Sequence, residues 1–236
     1  MKADIRLIDD AAGARSVSAL VDRVWGASTP LLNVELVRAI GHAGGYVAAT
    51  YIDDQMVGAS LGFLASHRGE PALHSHITGV LSSVRTTGLG RTLKLHQQTW
   101  AAERGLRWVT WTFDPLVRRN AWFNLRVLGA EVQEYLVDFY GPIDDSINTR
   151  DESDRLLVAW ATTTPPRDTR HLEFDVVPAG AVAVATPDDI VALRRSDPGA
   201  AERWRHRLRD ELGGALTAGA RVVTFTRAGD YVLEAT

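Results

Sequence analysis

The sequence predicts a mixed α/β fold with a small α/β extension at its C-terminal end. Two observations carry this prediction. Predicted elements follow the order β-α-α-β-β-β-α-β-α-β-β up to about residue 160. A Thr/Pro-rich segment then precedes some 70 residues, too few to bury much core alone. We therefore predict a first domain at 1–161, a linker at 162–169 and an extension at 170–236, which packs on the first domain or on a partner subunit.

The first half of the chain predicts two helices and a hairpin ahead of a further strand. After a strand at 5–8, Asp9-Asp10 caps a helix whose apolar stripe runs from Val17 to Val24. The remaining elements are a second helix at 31–40, a hairpin of 46–52 and 56–64, a polar loop at 66–71 and a strand at 72–80.

The second half predicts a further α/β succession. Asp114-Pro115 has the pattern of a helix cap followed by proline at the first helical position, and Gly129 ends that helix. The other elements are strands at 106–113, 132–140 and 155–160, a strand region at 174–185, a cap at 186–187, a helix at 198–216 and a hairpin of 221–227 and 231–235. We expect the arginines of the 198–216 helix, at 203, 205, 207 and 209, to form a solvated face.

Composition excludes several classes of function. The chain has 45% hydrophobic and 23% charged residues, as a globular protein does. A net charge of −3 argues against binding to nucleic acid backbones. The absence of cysteine excludes disulfides, thiolate metal ligands and a cysteine nucleophile. Neither a secretory segment nor an 18-residue apolar run occurs, so we predict a cytoplasmic protein without a membrane partner.

The segment from Val80 to Leu93 is the most informative part of the chain. An alternating apolar strand leads into a loop of small residues, and the loop opens a helix. Glycines let an anion approach backbone amides closely, and a helix N-terminus adds unpaired donors and partial positive charge. The arrangement is typical of phosphate or pyrophosphate sites.

The spacing in this loop selects among phosphate-binding motifs. A P-loop is excluded because no lysine follows Gly90, and a dinucleotide fingerprint lacks both its third glycine and its acidic residue. What remains is Arg85-x-x-Gly88-x-Gly90, which otherwise is a helix-capping turn. It resembles the pyrophosphate loop of the GNAT superfamily of acyl-CoA N-acyltransferases, whose fold has the predicted element order.

This resemblance implies a set of cofactor-binding residues. Strand backbone at Val80 and Leu81 would pair with the pantetheine amides of acetyl-CoA or another acyl-CoA. The loop amides would hold the pyrophosphate; these residues are Arg85, Thr86, Thr87, Gly88, Leu89, Gly90 and Arg91.

A second resemblance lies in Asn120-Ala121-x-x-x-Leu125-x-x-Leu128-Gly129-Ala130. It is similar to the GNAT segment in which an asparagine contacts the cofactor, and Asn120 is the candidate here. The tyrosine that often protonates the leaving thiolate in that family is replaced by Leu125, which has no proton to donate. Candidates for this role are Tyr135, Tyr140 and Asn124.

His74 and His76 are candidates for the catalytic base. Residues 74, 76, 78 and 80 share one face of a regular strand, and many GNAT enzymes place a base on this strand. An imidazole suits removal of a proton from an ammonium group. The alternatives are hydrogen-bonded core histidines or a His-x-His zinc site; since no third ligand is evident, we expect no metal.

Several residues are candidates for binding substrate. Trp25 lies between the first two helices, where the family binds the acceptor, or it belongs to the core. Trp111 and Phe113 would wall the acyl pocket, or they too are core residues. Arg118 and Arg119 occupy a first helical turn that disfavours cations, which indicates an anionic partner or a salt bridge to Asp114 or Asp138.

The resemblance implies an N-acyltransferase that moves an acetyl or succinyl group to a small amine or amino acid by direct attack. Segments 141–148 and 151–155 look like those of a poorly characterised bacterial branch of the superfamily. The alternative is an inactive CoA-binding module with a sensing or assembly role, which Leu125 favours. A homodimer is compatible with the sequence.

Overall fold

Seven strands form one mixed sheet in the computed structural model of the protein, which describes residues 3–141, 151–168 and 177–235. They are β1 (Asp4–Leu7), β2 (Tyr46–Ile52), β3 (Gln55–His67), β4 (Glu70–Val80), β5 (Trp108–Phe113), β6 (Glu131–Leu136) and β7 (Arg155–Ala161). Their hydrogen-bonded order is β1-β2-β3-β4-β5-β7-β6. Strands β4 and β5 pair in parallel, whereas β1 to β4 pair antiparallel in sequence order. The predicted mixed α/β fold is confirmed.

The helices and the second sheet complete the described elements. The helices are α1 (Ala11–Trp25), α2 (Val34–His42), α3 (Leu89–Glu103), α4 (Arg118–Ala121, extended by a π-helix at Trp122–Leu128), α5 (Ile190–Ser196), α6 (Pro198–Leu208, extended by a π-helix at Arg209–Gly213) and α7 (Gly214–Thr217). A three-stranded sheet has the order β8-β10-β9, where β8 is Val182–Ala185, β9 is Arg221–Phe225 and β10 is Asp230–Glu234. None of the described helices has the length and apolar run that a membrane crossing requires.

Contacts between residues divide the chain into two compact units. The first consists of Met1–Trp111 with Ala161–Thr164, and the second of Thr112–Trp160 with Pro165–Thr236. The division therefore falls within β5, earlier than the Thr/Pro-rich segment. The domain boundaries that the sequence indicates stay a prediction.

Local capping sets the helix starts of the first unit. The carboxylate of Asp10 accepts a hydrogen bond from the amide of Gly13 at 2.6 Å, as the sequence predicts for α1. Helix α2 begins at Val34 and not at the predicted residue 31, because Asn33 caps it through the amide of Leu36. The amide of Leu31 is held instead by Asp22, at 2.9 Å.

Two predicted caps in the second unit are wrong. Asp114 does not cap α4, which begins four residues later; its carboxylate accepts from the amide of Leu116 and pairs with Arg194 Nη2 at 2.6 Å. A long-range ion pair thus takes the place of the local cap. Likewise α5 is capped by Asp189, whereas the Thr186 hydroxyl donates to the carbonyl of Gly229.

The C-terminal residues pack on residues 112–160 within the second unit. The buried hydroxyl of Tyr231 donates to the carbonyl of Pro115 at 2.7 Å. Strand β9 contacts both β6 and the π-helix at Trp122–Leu128. The expectation that the extension packs on preceding parts of the chain holds for these contacts; Phe174 of the predicted strand region lies outside the described residues.

The expected solvated face of arginines in α6 is partly wrong. Arg203 and Arg207 are exposed, but Arg205 is buried and pairs with Asp151 Oδ2 at 2.7 Å. Arg194 binds the same carboxylate oxygen at 2.9 Å. Burial alone would raise the pKa values of Asp114 and Asp151, but the arginines beside them hold both below the ordinary range.

Candidate active site

The first unit contains a sheet that opens between two parallel strands. Strands β4 and β5 pair only through Ala72 with Trp108, Leu73 with Val109 and His74 with Thr110. Beyond His74, β4 continues to Val80 while it remains paired with β3 on its other edge. Its edge toward β5 is therefore free of that partner from Ser75 onward, and extended backbone of this kind can pair with another extended chain.

A β-bulge at His76 changes which residues of β4 share a face. Opposite β3, Leu61 pairs with Ile77 and Gly62 pairs with Ser75, so His76 is the extra residue. The Thr78 hydroxyl consequently lies on the side of Ser75, 3.4 Å from Ser75 Oγ, and 2.7 Å from Ser60 Oγ. The expectation that residues 74, 76, 78 and 80 share one face is wrong, because it assumed a regular strand.

The two candidate histidines lie beside Phe63, which stands opposite His74 in the hairpin. The ring centroid of Phe63 is 5.2 Å from that of His74 and 5.9 Å from that of His76. His74 Nδ1 is 3.1 Å from the hydroxyl of Thr110. Burial, with His76 and Lys94 nearby, lowers the pKa of His74 to about 4, and desolvation also lowers that of His76. Both imidazoles are therefore neutral at pH 7.

The loop after β4 has the geometry of an anion site. Residues Ser82–Thr87 form a 3₁₀ turn, and Gly88 takes the left-handed conformation (φ 82°) that starts α3. No side chain caps α3, so the first amides of its 15 residues point out of the helix end without a cap. Arg85, Thr86 and Thr87 are exposed in the turn, whereas Leu89 is buried among Ile52 and Val57.

Trp25 packs against β4 near its end. A Cβ on Gly79 would lie 2.5 Å from Cζ3 of Trp25, so the indole covers the backbone of this glycine. Trp25 is thus partly buried against β4, the strand that carries the histidines. Its contact residue, Gly79, lies two positions before Leu81. Trp111, another candidate, is buried at the point where β5 stops pairing with β4.

The structure also reveals a buried lysine, Lys94, that no sequence pattern singles out. Lys94 Nζ donates to Ser75 Oγ at 3.1 Å and to Gln97 Oε1 at 2.8 Å, and lies 3.7 Å from the centroid of the Trp111 ring. On a helix, a lysine three residues before a glutamine ordinarily indicates a solvated face. Only the packing of α3 on the sheet identifies the position as buried.

The remaining candidates belong to the second unit. The Tyr135 hydroxyl donates to Asp154 Oδ2 at 2.7 Å, and burial and that carboxylate raise its pKa. The strand predicted at 132–140 ends at Leu136 in the structure, so Tyr140 lies four residues beyond β6, with its hydroxyl 3.1 Å from Thr112 Oγ1. Asn124 is buried in the π-helix and Asn120 lies in α4; Phe113 is buried at the end of β5.

Arg118 has partners that the sequence did not indicate. Its guanidinium binds Asp188 Oδ1 at 2.5 Å and both the hydroxyl and the carbonyl of Thr186. Arg118 thus forms a salt bridge with Asp188, just before α5, and not with Asp114 or Asp138 as the sequence suggested. Arg118 and Arg119 line a cavity of about 490 Å³ together with Trp122, Phe225, Thr226, Arg227 and Gly229. Among the described residues, no group of His, Asp and Glu is arranged to hold a metal ion.

Comparison with solved structures identifies the class of fold. No protein-family model matches the chain, and neither does any curated protein. The solved structures that it resembles are GNAT acetyltransferases, and the chain has the GNAT fold.

Three of these structures show how far the likeness reaches. A probable acetyltransferase from Staphylococcus epidermidis is 13% identical, with a TM-score of 0.55 over 69% of this chain and 100% of its own. The ribosomal-protein-S18-alanine N-acetyltransferase from Escherichia coli is 12% identical, with a TM-score of 0.54 over 71% and 98%. Naa50 from Arabidopsis thaliana, solved with a bisubstrate analogue of CoA, is 16% identical, with a TM-score of 0.53 over 68% and 99%.

Proposed function

We propose that the protein is an acyl-CoA-dependent N-acyltransferase acting on a small amine or amino acid. The observation that carries the proposal is the parting of β4 from β5 after three residue pairs, on the strand that leads into the uncapped start of α3. One continuous segment thus offers a free strand edge for pantetheine and a helix N-terminus for pyrophosphate. The fold of the structural neighbours supports the same assignment.

In this proposal, Val80 and Leu81 border the pantetheine, and the residues from Arg85 to Arg91 hold the pyrophosphate. Arg85 adds a positive charge to the partial charge of the helix start. Gly88 lets the chain enter the helix through a left-handed conformation, with open space around its α-carbon.

The acceptor amine would lie beside Phe63, His74 and His76. An amine attacks a thioester only as the free base, so a proton must leave the ammonium form. A neutral imidazole takes that proton directly or through water. The nitrogen then attacks the carbonyl carbon, the C–S bond breaks, and the products are an amide and free CoA.

The acyl donor is an acetyl or succinyl group in this proposal. A succinyl carboxylate would suit an arginine, which binds carboxylates through two parallel hydrogen bonds. Arg119, which lines the cavity beside Trp122, is the candidate for such a contact. Location in the cytoplasm and a homodimeric assembly stay predictions.

The proposal is tested by incubation of the protein with acetyl-CoA or succinyl-CoA and a panel of small amines and amino acids. Release of free CoA that depends on both partners is the expected result. A thermal-shift screen in parallel reports binding, since a ligand of the native state raises Tm. A rise in Tm without CoA release would instead support the second candidate, an inactive CoA-binding module, which the leucine at position 125 favours.

A further inference from the structure

Lys94 lies at the point where the two parallel strands separate. Ser75 and Trp111 directly follow the last β4–β5 pair, and both contact Lys94 Nζ, at 3.1 Å from Ser75 Oγ and 3.7 Å from the ring centroid. The lysine residue is 3% exposed. A buried ammonium group therefore faces the place where the proposed thioester enters the sheet.

This ammonium group has no acidic partner in the part of the chain that the structure describes. Its neighbours are a hydroxyl, an amide oxygen and the face of an indole ring. Burial without a carboxylate disfavours the charged form and lowers the pKa of Lys94 to about 7. The group can therefore release a proton near neutral pH, which an ordinary lysine does not.

The surrounding hydrogen bonds hold Nζ in place. Gln97 accepts from Lys94 and donates to Ser60 Oγ at 3.1 Å. Ser60 contacts Thr78, and Thr78 contacts Ser75, which closes a ring of five polar side chains. The titratable group that interacts with Lys94 from β4 is His74, while β3 and β5 present hydroxyl and aromatic groups.

Lysine is a rare choice in this chain. Of its 26 lysines and arginines, only Lys2 and Lys94 are lysines. An arginine could also bind a hydroxyl and an amide oxygen, but it keeps its proton at every accessible pH. Lysine at this buried position thus supplies a compact group with a releasable proton, which an arginine would not.

The base and Lys94 lie on opposite faces of β4. His74 stands opposite Phe63, on the same face of β3 as Leu61, whose cluster packs against α1 and α2. Ser75 and Lys94 lie on the face covered by α3. The two groups can thus act on different atoms of a thioester held at the strand edge.

We propose that Lys94 is the proton donor for the departing CoA sulfur. The inference rests on the proposed function and answers the gap left by Leu125, which has no proton to give. When the C–S bond of the tetrahedral intermediate breaks, the electron pair stays on sulfur, and the proton of Lys94 Nζ moves to it. The products are the amide and CoA thiol, while Lys94 is left neutral and regains a proton from solvent before the next cycle.

The test combines kinetics with direct titration. Lys94→Met removes the proton and keeps the length of the side chain; Lys2→Met is the matched control. Turnover is measured against pH with a weakly basic aromatic amine that stays neutral over the range. We expect Lys94→Met to lower kcat by roughly 10²–10⁴-fold with KM for the thioester unchanged, and Lys2→Met to have no effect.

The pH dependence separates a proton donor from a structural residue. The wild type should lose kcat as pH rises through about 7, as Lys94 loses its proton, and Lys94→Met should lack this decline. Lys94→Arg should retain binding but also lack the decline. Labelling with ¹³Cε-lysine gives two side-chain signals, and the one that persists in Lys2→Arg reports the Lys94 titration even where a Lys94 variant fails to fold.

Each outcome decides between the two proposals. CoA release by the wild type together with normal kcat in Lys94→Met would overturn the donor role and leave the acyltransferase proposal standing. A Lys94 signal that stays charged past pH 9 would also overturn it. Absence of thioester binding and of CoA release by the wild type would overturn both.

Discussion

The indole of Trp25 lies directly over the α-carbon of Gly79, where any side chain would collide with it. A Cβ at this position would lie 2.5 Å from Cζ3 and 2.7 Å from Cη2 of the ring. The glycine is thus required by close approach, since its φ is not in the left-handed region. This contact holds α1 against the end of β4, just before the proposed cofactor loop.

Gly79→Ala should therefore destabilise the protein by about 1–3 kcal/mol through overpacking. Urea unfolding measures the loss. Gly214→Ala is the control, because a Cβ meets nothing there and the helical backbone tolerates alanine. Trp25→Leu should restore part of the loss in the double variant; additive losses would show that the indole is not the obstacle.

Gly88→Asp should abolish binding of CoA thioesters while the fold is kept. The change places a negative charge at the proposed pyrophosphate site, and each charge-assisted hydrogen bond lost there costs roughly 1.5–3 kcal/mol. Gly105→Asp is a matched control, because Gly105 also has positive φ (72°) and open space but follows the other end of α3. Calorimetry should find normal affinity in the control; equal affinity in both variants would contradict the loop assignment.

Replacement of His74 or His76 by alanine should lower turnover by roughly 10²–10⁴-fold, with thioester affinity kept. The base works only when neutral, and the pKa of His74 is about 4, so on the acidic side the wild type should lose activity as pH falls toward that value. The variant that lacks the base should lose this acidic limb of the kcat/KM profile. Full activity in both single variants would show that the two histidines have a structural role and are not the catalytic base.

The buried ion pairs of the second unit should dominate acid sensitivity. The pKa values of Asp114, Asp151 and Asp154 are lowered in the folded protein, so their contribution is present above the ordinary carboxyl pKa and is lost as pH falls below it. Arg194→Leu should cost about 3–5 kcal/mol by leaving a buried carboxylate poorly paired. Arg203→Leu, at an exposed arginine, should cost at most about 1 kcal/mol; similar losses by urea unfolding would argue against the network.

The succinyl option has its own test in the arginines of α4. Arg119→Ala should reduce kcat/KM selectively for succinyl-CoA, because an acetyl group has no carboxylate to lose. Arg118→Ala removes contacts with Asp188 and Thr186 and so lowers the stability of the fold. It should therefore reduce kcat/KM for both donors in equal proportion. An equal effect of Arg119→Ala on the two donors would remove the reason to expect a dicarboxylic acyl group.

Much of the fold follows from local signals in the sequence. The Asp10 cap, the left-handed residues Gly88 and Gly129 and the alternation in β4 each depend on neighbours within a few positions. The prediction that Asp114 caps a helix was wrong because its partner, Arg194, is 80 residues away. A local cap pattern cannot report an ion pair at that distance in sequence.

The candidate site was harder to predict, for two reasons. Phe63 could have been found: the two-residue turn at Arg68-Gly69 sets His67 opposite Glu70 and hence Phe63 opposite His74, but the predicted polar loop at 66–71 obscured that register. The bulge at His76 and the burial of Lys94 depend on how strands and helix pack, and no pattern of spacing reports either.

The scarcity of lysine affects how readily the protein would be acylated by its own proposed substrate. Acyl thioesters react slowly with any accessible amine, without help from a catalyst. Here one of the two lysines is buried between α3 and the sheet and hydrogen-bonded there, the other is Lys2, and the remaining permanently charged cationic side chains are guanidinium groups. These are poor nucleophiles because they stay protonated. A protein so composed could hold a reactive acyl donor for long periods while offering it little of itself to modify.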